Sequence, residues 1–327
     1  MRTLYFIFLL GFAPYAVAQD NSNVFDEIQE NFWYLPTPDG QARLGLTYIG
    51  QGDTVVALHG GPGNNFNYLV DAVGDQTDTH CFLLFDQRGS MYSPVADSLI
   101  QDLTLAQLVD DLEAIRIATQ QDKLTLLGHS FGTLLAMSYY MTYPQHVEKL
   151  ILTATMLPSV SPEKPFLDEL KGIHARVKAM RERPMVQQVL QEEGLWEEEG
   201  LTPQQVSQRY KITGLASFNM IDLSQWRRFK GGRVFYNARV DGAIGSSIPN
   251  TYDIREALHT HPVPIYIIQG DQDYIDPAAT RWKSIAEAYP TIRIQVVPQS
   301  SHYVWLDEAE EFSRLLEDAL QAPANRK

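Results

Sequence analysis

Residues 123–141 read KLTLLGHSFGTLLAMSYYM, which places a G-x-S-x-G sequence between two apolar runs. The apolar run before the first glycine predicts a buried strand, and the run after Gly132 predicts a helix. The two glycines of G-H-S-F-G permit a sharp turn between them, which lifts Ser130 above the edge of a sheet. The backbone N–H of Phe131 then lies at a helix N-terminus, where a developing negative charge is stabilised. This context predicts that Ser130 is a nucleophile.

Similar apolar runs, rich in Val, Ile and Leu, recur on both sides of this stretch. They lie at 54–61, 81–89, 149–155, 263–270 and 292–299. Helix-like stretches separate the runs, at 103–120, 131–144, 277–290 and 308–321. Continuous apolar runs are typical of parallel strands that are covered on both faces. Their alternation with helices indicates a parallel sheet with right-handed crossovers. Two earlier runs, at 32–35 and 42–48, predict an antiparallel edge on a mostly parallel α/β sheet.

The alternation stops between about Pro158 and Thr260, where the chain is charged and helix-prone before it returns to a strand. This interruption predicts a helical cap inserted over one edge of the sheet. The predicted organisation is a signal peptide at 1–18, a core at 19–157 plus 261–327, and a cap at 158–260.

The first twenty residues, MRTLYFIFLLGFAPYAVAQD, combine Arg2, a short apolar run and Ala-Val-Ala before Gln19. These features are typical of a secretory signal peptide that is cut after Ala18. An uncleaved anchor is the main alternative, although the run is short for a membrane span. We expect a secreted or periplasmic protein without stable membrane insertion after cleavage.

Composition excludes several classes of function. The chain has a single cysteine, Cys81, so an internal disulfide is impossible. Cys81 lies in an apolar run, which predicts that it is a small buried hydrophobic residue. The net charge of −14 argues against nucleic acid and anionic membrane surfaces as partners. With 327 residues, 44% of them hydrophobic, the chain can bury a large core.

A serine hydroxyl is a weak nucleophile unless a base takes its proton and a carboxylate orients that base. On the α/β-hydrolase fold the acid and then the histidine follow the serine, in loops after later strands. The run at 263–270 leads into a loop with three acids, Asp271, Asp273 and Asp276. The next run leads into a loop with His302, which is therefore the predicted base.

The motif H-G-G-P-G at 59–63 also follows a strand at the same end of the predicted sheet. Its glycines, Gly60 and Gly61, let the backbone approach a substrate closely. We predict that the N–H groups of Gly61 and Phe131 form an oxyanion hole. His59 is predicted to be a structural, hydrogen-bonded histidine.

Three motifs together resemble the prolyl aminopeptidase (proline iminopeptidase) group of α/β-hydrolases. They are HGGPG at 59–63, FDQRGSMYS at 85–93 and GHSFG at 128–132. The resemblance implies an α/β-hydrolase fold with Ser130 as nucleophile and His302 as base. Its Gly-x-x-Asp loop implies Asp273 as the acid, with Asp271 as the alternative.

The resemblance also implies that Asp86 and Arg88 form a structural ion pair around the site. The elbow departs from the group, whose usual sequence is Gly-Gly-Ser-Trp-Gly, because His129 and Phe131 are closer to general esterases and lipases. Members of the group bind the free α-ammonium of the substrate with glutamates of the cap.

The predicted cap carries both signs of charge. Its acids include Glu192, Glu193, Glu197, Glu198 and Glu199, and its cations include Arg227, Arg228, Lys230 and Arg233. The acids are typical of a solvated helix face, whereas the cations could bind a carboxylate. No motif assigns an ammonium-binding glutamate.

The predicted function is a serine hydrolase with a Ser-His-Asp triad, which requires no metal and no organic cofactor. The resemblance implies an aminopeptidase that releases N-terminal proline or another small residue from short peptides. An esterase, lactonase or amidase acting on a small molecule with the same triad is the alternative. A ligand-binding receptor of the same fold is a more remote one, because all three catalytic groups are present.

Overall fold

The computed structural model describes Ile28 and residues 30–163, 166–230 and 236–323. The predicted signal peptide and Arg233 lie outside these residues, and export stays a prediction. Within the described ranges, none of the helices combines the length and the apolar character that a membrane span requires.

Ten strands occur in the described part of the chain. They are β1 (Trp33–Pro36), β2 (Arg43–Gly50), β3 (Asp53–Leu58), β4 (His80–Phe85), β5 (Leu124–His129), β6 (Val147–Thr153), β7 (Ser159–Val160), β8 (Tyr252–Asp253), β9 (Ile265–Gly270) and β10 (Ile292–Val297). Eight of them form one sheet in the order β1-β2-β4-β3-β5-β6-β9-β10, while β7 and β8 pair separately. Strands β1 and β2 add antiparallel at one edge, and the other neighbours run parallel. The predicted α/β-hydrolase sheet and its antiparallel edge are confirmed.

Twelve α-helices lie in the described part of the chain. They are α1 (Leu69–Val73), α2 (Leu105–Ala118), α3 (Phe131–Thr142), α4 (Phe166–Arg181), α5 (Pro184–Glu192), α6 (Pro203–Tyr210), α7 (Ser217–Asn219), α8 (Ala238–Ser247), α9 (Arg255–Thr260), α10 (Thr280–Ala286), α11 (Val304–Asp307) and α12 (Ala309–Gln321). Helix α2 begins at a capping box in which Thr104 and Gln107 satisfy each other's backbone N–H groups. The four helices predicted around the sheet are confirmed within a few residues at each end.

Strand β5 shows why the sheet is buried on both faces. Successive side chains of a strand point to opposite faces, so Leu126 and Leu127 belong to two separate hydrophobic clusters. Burying a leucine fully stabilises the fold by about 1.5–3 kcal/mol relative to leaving it exposed. The continuous apolar run of β5 is therefore the pattern that a central parallel strand requires.

The parallel strands bring four loops to one edge of the sheet, because all their carboxyl ends lie there. These loops follow β3, β5, β9 and β10, and they carry His59, Ser130, Asp273 and His302 respectively. The fold thus gathers the predicted site from segments that are far apart in the sequence.

The segment between β6 and β9 contains helices α4 to α9, and the pairing of β7 with β8 closes its base. It is hydrogen-bonded to the loop after β10. Tyr303 N donates to Asn219 O at 3.0 Å, and Ser301 Oγ donates to Phe218 O at 3.1 Å. The division into a core and a cap at residues 158 and 260 stays a prediction.

Candidate active site

Ser130 lies at the sharp turn between β5 and α3, with φ 54° and ψ −123°. A residue with a side chain rarely adopts this conformation, so neighbouring contacts must hold it. Its N–H donates to Thr153 O at 3.1 Å, and its carbonyl oxygen accepts from Thr133 N at 2.8 Å. The strained turn predicted for the elbow is therefore present.

The flanking glycines allow the elbow to pack against β3. A Cβ on Gly132 would lie only 2.1 Å from the carbonyl oxygen of Leu58. A Cβ on Gly128 would lie 2.8 Å from the carbonyl oxygen of Gly132. Both positions exclude any larger residue, because these contacts are to backbone atoms of β3 and α3 rather than to a flexible side chain.

His302 and Asp273 are hydrogen-bonded, with 2.8 Å between Nδ1 and Oδ2. Both residues are buried, at 2% and 0% exposure. The other oxygen of Asp273 accepts from Ile275 N at 2.7 Å, which fixes the carboxylate. Because Nδ1–H donates to the carboxylate, the neutral ring keeps Nε2 as its basic nitrogen.

The three acids of the loop after β9 have different hydrogen-bond partners. Only Asp273 contacts the ring of His302 among the hydrogen bonds of the described residues. Asp271 accepts from Ser300 N at 3.2 Å, and Asp276 accepts from Arg281 N at 3.0 Å. The geometry thus favours Asp273 over the alternative, Asp271, as the partner of the histidine.

Ser130 and His302 line a common cavity of about 290 Å³. Gly60 and Gly61 line the same cavity, and a Cβ on Gly60 would lie 2.8 Å from the Cβ of Ser130. The H-G-G-P-G backbone therefore does approach the predicted nucleophile closely. Gly61 has φ +57°, a conformation that favours glycine.

The Gly60 N–H donates to the hydroxyl of Tyr68 at 2.6 Å, so it is already engaged. This contact favours Gly61 over Gly60 as the oxyanion donor in the loop. Phe131, the second predicted donor, is the first residue of α3. Its N–H therefore lies where the helix dipole stabilises a negative charge.

His129, the second residue of the elbow, connects the loops of the site. Its Nε2 lies 3.2 Å from the carbonyl oxygen of His302, and its Nδ1 lies 2.7 Å from the hydroxyl of Tyr68. A carbonyl oxygen only accepts, so Nε2 carries the hydrogen and Nδ1 accepts from Tyr68. The Tyr68 oxygen in turn accepts from Gly60 N.

This directed chain runs from the oxyanion loop through Tyr68 and His129 to the backbone of His302. Burial lowers the pKa of His129 well below its ordinary value, and the nearby His302 lowers it further. The neutral ring that the hydrogen bonds require is therefore also the ring that burial favours.

His59 is hydrogen-bonded, as predicted. Its Nδ1 lies 3.0 Å from Gly60 O, and its Nε2 accepts from Gln87 N at 3.1 Å. The side-chain amide of Gln87 donates to the carbonyl oxygen of His59 at 2.7 Å. The two motifs H-G-G-P-G and D-Q-R-G are thus joined directly.

The predicted ion pair between Asp86 and Arg88 is wrong. Asp86 accepts from Phe66 N at 2.9 Å and from Tyr92 N at 2.7 Å, so its carboxylate organises backbone rather than a cation. The backbone turn after β4 points neighbouring side chains in different directions.

Arg88 instead pairs with two carboxylates from other segments. Its Nη2 lies 2.6 Å from Asp111, which is on α2, and its Nη1 lies 2.7 Å from Asp39. Arg88 and Asp111 are both 1% exposed. A second bond, from Nε to Asp111 at 2.7 Å, makes this pair bidentate.

The acids of the predicted cap do not line the cavity. Glu193 pairs with Arg227, and Glu198 pairs with Arg209 at 2.8 Å. The remaining acids of this run are exposed. Among the residues that the structure describes, two cations line the cavity, namely Lys230, which the sequence singled out, and Arg181, which it did not.

Sequence reasoning missed His129, Tyr68 and Arg181. His129 carried a signal, since it is a polar residue inside a turn that must be buried between strand and helix. Tyr68 and Arg181 carried none, because their roles depend on contacts with residues far along the chain.

The chain matches the family model described as alpha/beta hydrolase fold over residues 53–309, which is more than half of its length. It is 25% identical over 296 residues to a proline iminopeptidase from Flavobacterium johnsoniae, covering 85% of this chain and 93% of that one. Two other curated relatives match over only 34% and 38% of their own lengths. The resemblance found in the motifs thus extends over most of the chain.

Solved structures share the fold. A proline iminopeptidase-related protein from Thermus thermophilus matches with a TM-score of 0.60 and 23% identity, covering 90% of this chain and 98% of that one. An esterase from Thermogutta terrifontis matches with a TM-score of 0.60 and 17% identity, covering 89% and 98%. The chain belongs to the α/β-hydrolase fold family, and its relatives over most of its length include proline iminopeptidases.

Proposed function

We propose that this protein is a serine hydrolase that cleaves an ester or amide bond of a small substrate through an acyl-enzyme. The observation that carries the proposal is the buried bond between His302 and Asp273 beside a cavity that Ser130 also lines. Nucleophilic acyl transfer needs three groups, which are a serine nucleophile, a histidine base and a carboxylate that orients the base. Here they are the strained Ser130, the basic Nε2 of His302 and the fixed carboxylate of Asp273.

In the first half of the reaction, His302 Nε2 takes the proton of Ser130 as Oγ attacks the carbonyl carbon. The N–H groups of Gly61 and Phe131 stabilise the oxyanion that forms. Asp273 holds the ring and stabilises its positive charge. His302 then protonates the leaving group as its bond to the acyl carbon breaks.

The second half repeats these roles with water. His302 removes a proton from the water, whose oxygen attacks the acyl carbon. The bond to Ser130 Oγ breaks as the histidine returns the proton to it. The acid product leaves, and the enzyme returns to its starting state.

The loop after β9 offers a matched test of the acid. Asp273→Asn should lower kcat by about 10³–10⁴-fold, because an amide opposite Nδ1 favours the wrong tautomer of His302. Asp271→Asn, which changes the same loop without touching the ring, should stay within about threefold of the parent chain. Steady-state hydrolysis of a 4-nitrophenyl ester measures both.

Ser130→Ala should lower kcat by about 10⁴-fold or more on the same substrate. A parent-like rate in the Ser130→Ala chain would contradict the mechanism. A larger loss in Asp271→Asn than in Asp273→Asn would reassign the acid.

The second candidate function is the release of N-terminal proline or another small residue from short peptides. The relatives named proline iminopeptidases favour it, since one matches over 85% of this chain. Proline 4-nitroanilide and its N-acetylated form test it directly. An aminopeptidase should turn over only the free amine, whereas an esterase or amidase should show no dependence on that amine.

A further inference from the structure

The charges around the cavity have one sign. Among the described residues that line it, Arg181 and Lys230 are cationic and none is a carboxylate. The chain as a whole carries a net charge of −14, so this cavity differs from the rest of the molecule. A charged lining of one sign concentrates substrate of the opposite sign.

The two cations differ in their partners. Lys230 Nζ lies 2.6 Å from Asp71 Oδ1, so a carboxylate of the protein already balances its charge. Arg181 has no carboxylate within ion-pair distance in residues 30–163, 166–230 and 236–323. Its Nη2 is 3.4 Å from Gly214 O, a long contact that leaves most of its donors available.

Aromatic rings lie between Arg181 and the predicted base, His302. Its guanidinium carbon lies 4.7 Å from the ring centroid of Phe218. The Phe218 ring contacts that of Tyr274 at 5.4 Å, and Tyr274 contacts the His302 ring at 4.4 Å. Two aromatic rings that line the cavity therefore separate the guanidinium from the base.

We propose that the substrate carries a carboxylate, held by Arg181, at the end remote from the bond that is cleaved. This inference rests on the proposed serine hydrolase. The planar guanidinium matches a carboxylate with two parallel hydrogen bonds, and its single charge balances a single negative charge. The walls formed by Phe218 and Tyr274 contact the apolar spacer between the two ends.

The same arrangement disfavours a substrate with a free ammonium in this part of the cavity. A cation there faces Arg181 with no carboxylate among the described lining residues to balance it. Like charges repel, so this subsite distinguishes an acid from an amine.

Matched ester pairs test the subsite. One pair, 4-nitrophenyl hemiadipate and 4-nitrophenyl hexanoate, places the charge on the acyl side. The other, 4-acetoxybenzoate and its methyl ester, places it on the leaving group. At least one pair should show a kcat/KM about 10- to 100-fold higher for the anion.

Three variants assign that preference to one side chain. Arg181→Gln should abolish the preference, because kcat/KM for the anionic ester should fall about 10- to 100-fold more than kcat/KM for its neutral partner. Arg181→Lys, which keeps the charge but loses the planar fork, should retain part of it. Arg227→Gln is the control, since Arg227 pairs with Glu193 and does not line the cavity.

A binding measurement separates the subsite from the chemistry. In the Ser130→Ala chain, calorimetry should detect adipate, and the added Arg181→Gln change should weaken that binding about tenfold or more. Such binding without any Ser130-dependent turnover would overturn the proposed function and support the subsite. Turnover with no anion preference in either pair would overturn the subsite and leave the proposed function standing.

Discussion

The hydrogen bonds of Tyr68 and His129 allow only one assignment of donors and acceptors. The carbonyl oxygen of His302 and the N–H of Gly60 fix the two ends, so each hydrogen between them has one position. We expect both to be positioning residues, since they contact the predicted oxyanion loop and the loop of His302 rather than the predicted reacting atoms.

Tyr68→Phe tests this chain of hydrogen bonds. The variant leaves the Gly60 N–H and the His129 Nδ1 without their partner, which costs about 1–3 kcal/mol per unsatisfied group. We expect kcat to fall about tenfold with KM nearly unchanged, because the loop no longer presents the oxyanion donor in place. Steady-state kinetics on a neutral ester measures kcat and KM separately.

Tyr140→Phe is the matched control. Its hydroxyl donates to the carbonyl oxygen of His261 at 2.5 Å, so the variant also removes the hydrogen bond of a buried tyrosine. It should lower stability without lowering kcat. Equal losses of kcat in the two variants would show that Tyr68 acts only through stability.

His59 makes the stability of the fold depend on pH. Burial lowers its pKa from 6.5 to about 4, and Nε2 already accepts a hydrogen from Gln87. The unfolded chain therefore binds the proton more readily than the folded one. Its contribution to stability is complete above about pH 6.5 and is lost as the pH falls from 6.5 towards 4.

His59→Gln should remove this dependence. Between pH 7 and pH 5, the free energy of unfolding of the variant should fall by about 2 kcal/mol less than that of the parent chain. Urea unfolding at the two pH values measures both losses. Asp86 and His129 also titrate in both chains, so the difference isolates His59. Parallel losses in the two proteins would refute a neutral His59.

Among the secondary-structure elements, Arg88 links the turn after β4 to two other segments. It reaches α2 through Asp111 and the turn after β1 through Asp39. The two carboxylates differ in exposure, since the side chain of Asp111 is 1% exposed and that of Asp39 is 30% exposed. Burial should therefore decide which of the two matters for stability.

Asp111→Asn leaves a buried guanidinium without its bidentate partner. We expect the free energy of unfolding to fall by about 3–5 kcal/mol. Asp39→Asn changes the same arginine at a partly exposed site and should cost about 1 kcal/mol or less. Urea unfolding followed by circular dichroism compares them. If the two substitutions cost the same, the buried pair is not a main support of α2.

Across the molecule as a whole, Asp307 connects the segment between β6 and β9 to the loop that carries His302. Its two oxygens accept from Ile221 N and from Ser301 N, each at 2.8 Å. Ser301 precedes His302, so movement of the segment is coupled to the position of the histidine.

Asp307→Asn retains only one oxygen acceptor for these two N–H groups. We expect faster amide hydrogen exchange at Ile221 or Ser301 and a fall in kcat/KM of about tenfold. Glu310→Gln, an exposed change in the following helix, should alter neither. Unchanged exchange at both amides in Asp307→Asn would mean that other contacts hold the segment.

The architecture and the positions of the loops that carry the candidate site could be predicted from the amino-acid sequence. Continuous apolar runs predicted the six parallel strands within a few residues, because strands buried on both faces have little choice of composition. The G-H-S-F-G motif predicted the turn at Ser130, because only glycine avoids the backbone contacts at 128 and 132. These are local effects that neighbouring residues decide.

Contacts between side chains from distant segments could not be predicted in this way, because they depend on the folded chain. Asp273 rather than Asp271 is hydrogen-bonded to His302. Arg88 pairs with Asp111 and Asp39 rather than with Asp86. Arg181 lines the cavity. A periodic pattern specifies which face a residue occupies, but not the direction of a side chain within a loop. Tyr68 and His129 lie 61 positions apart, and only the completed sheet brings their atoms within 2.7 Å.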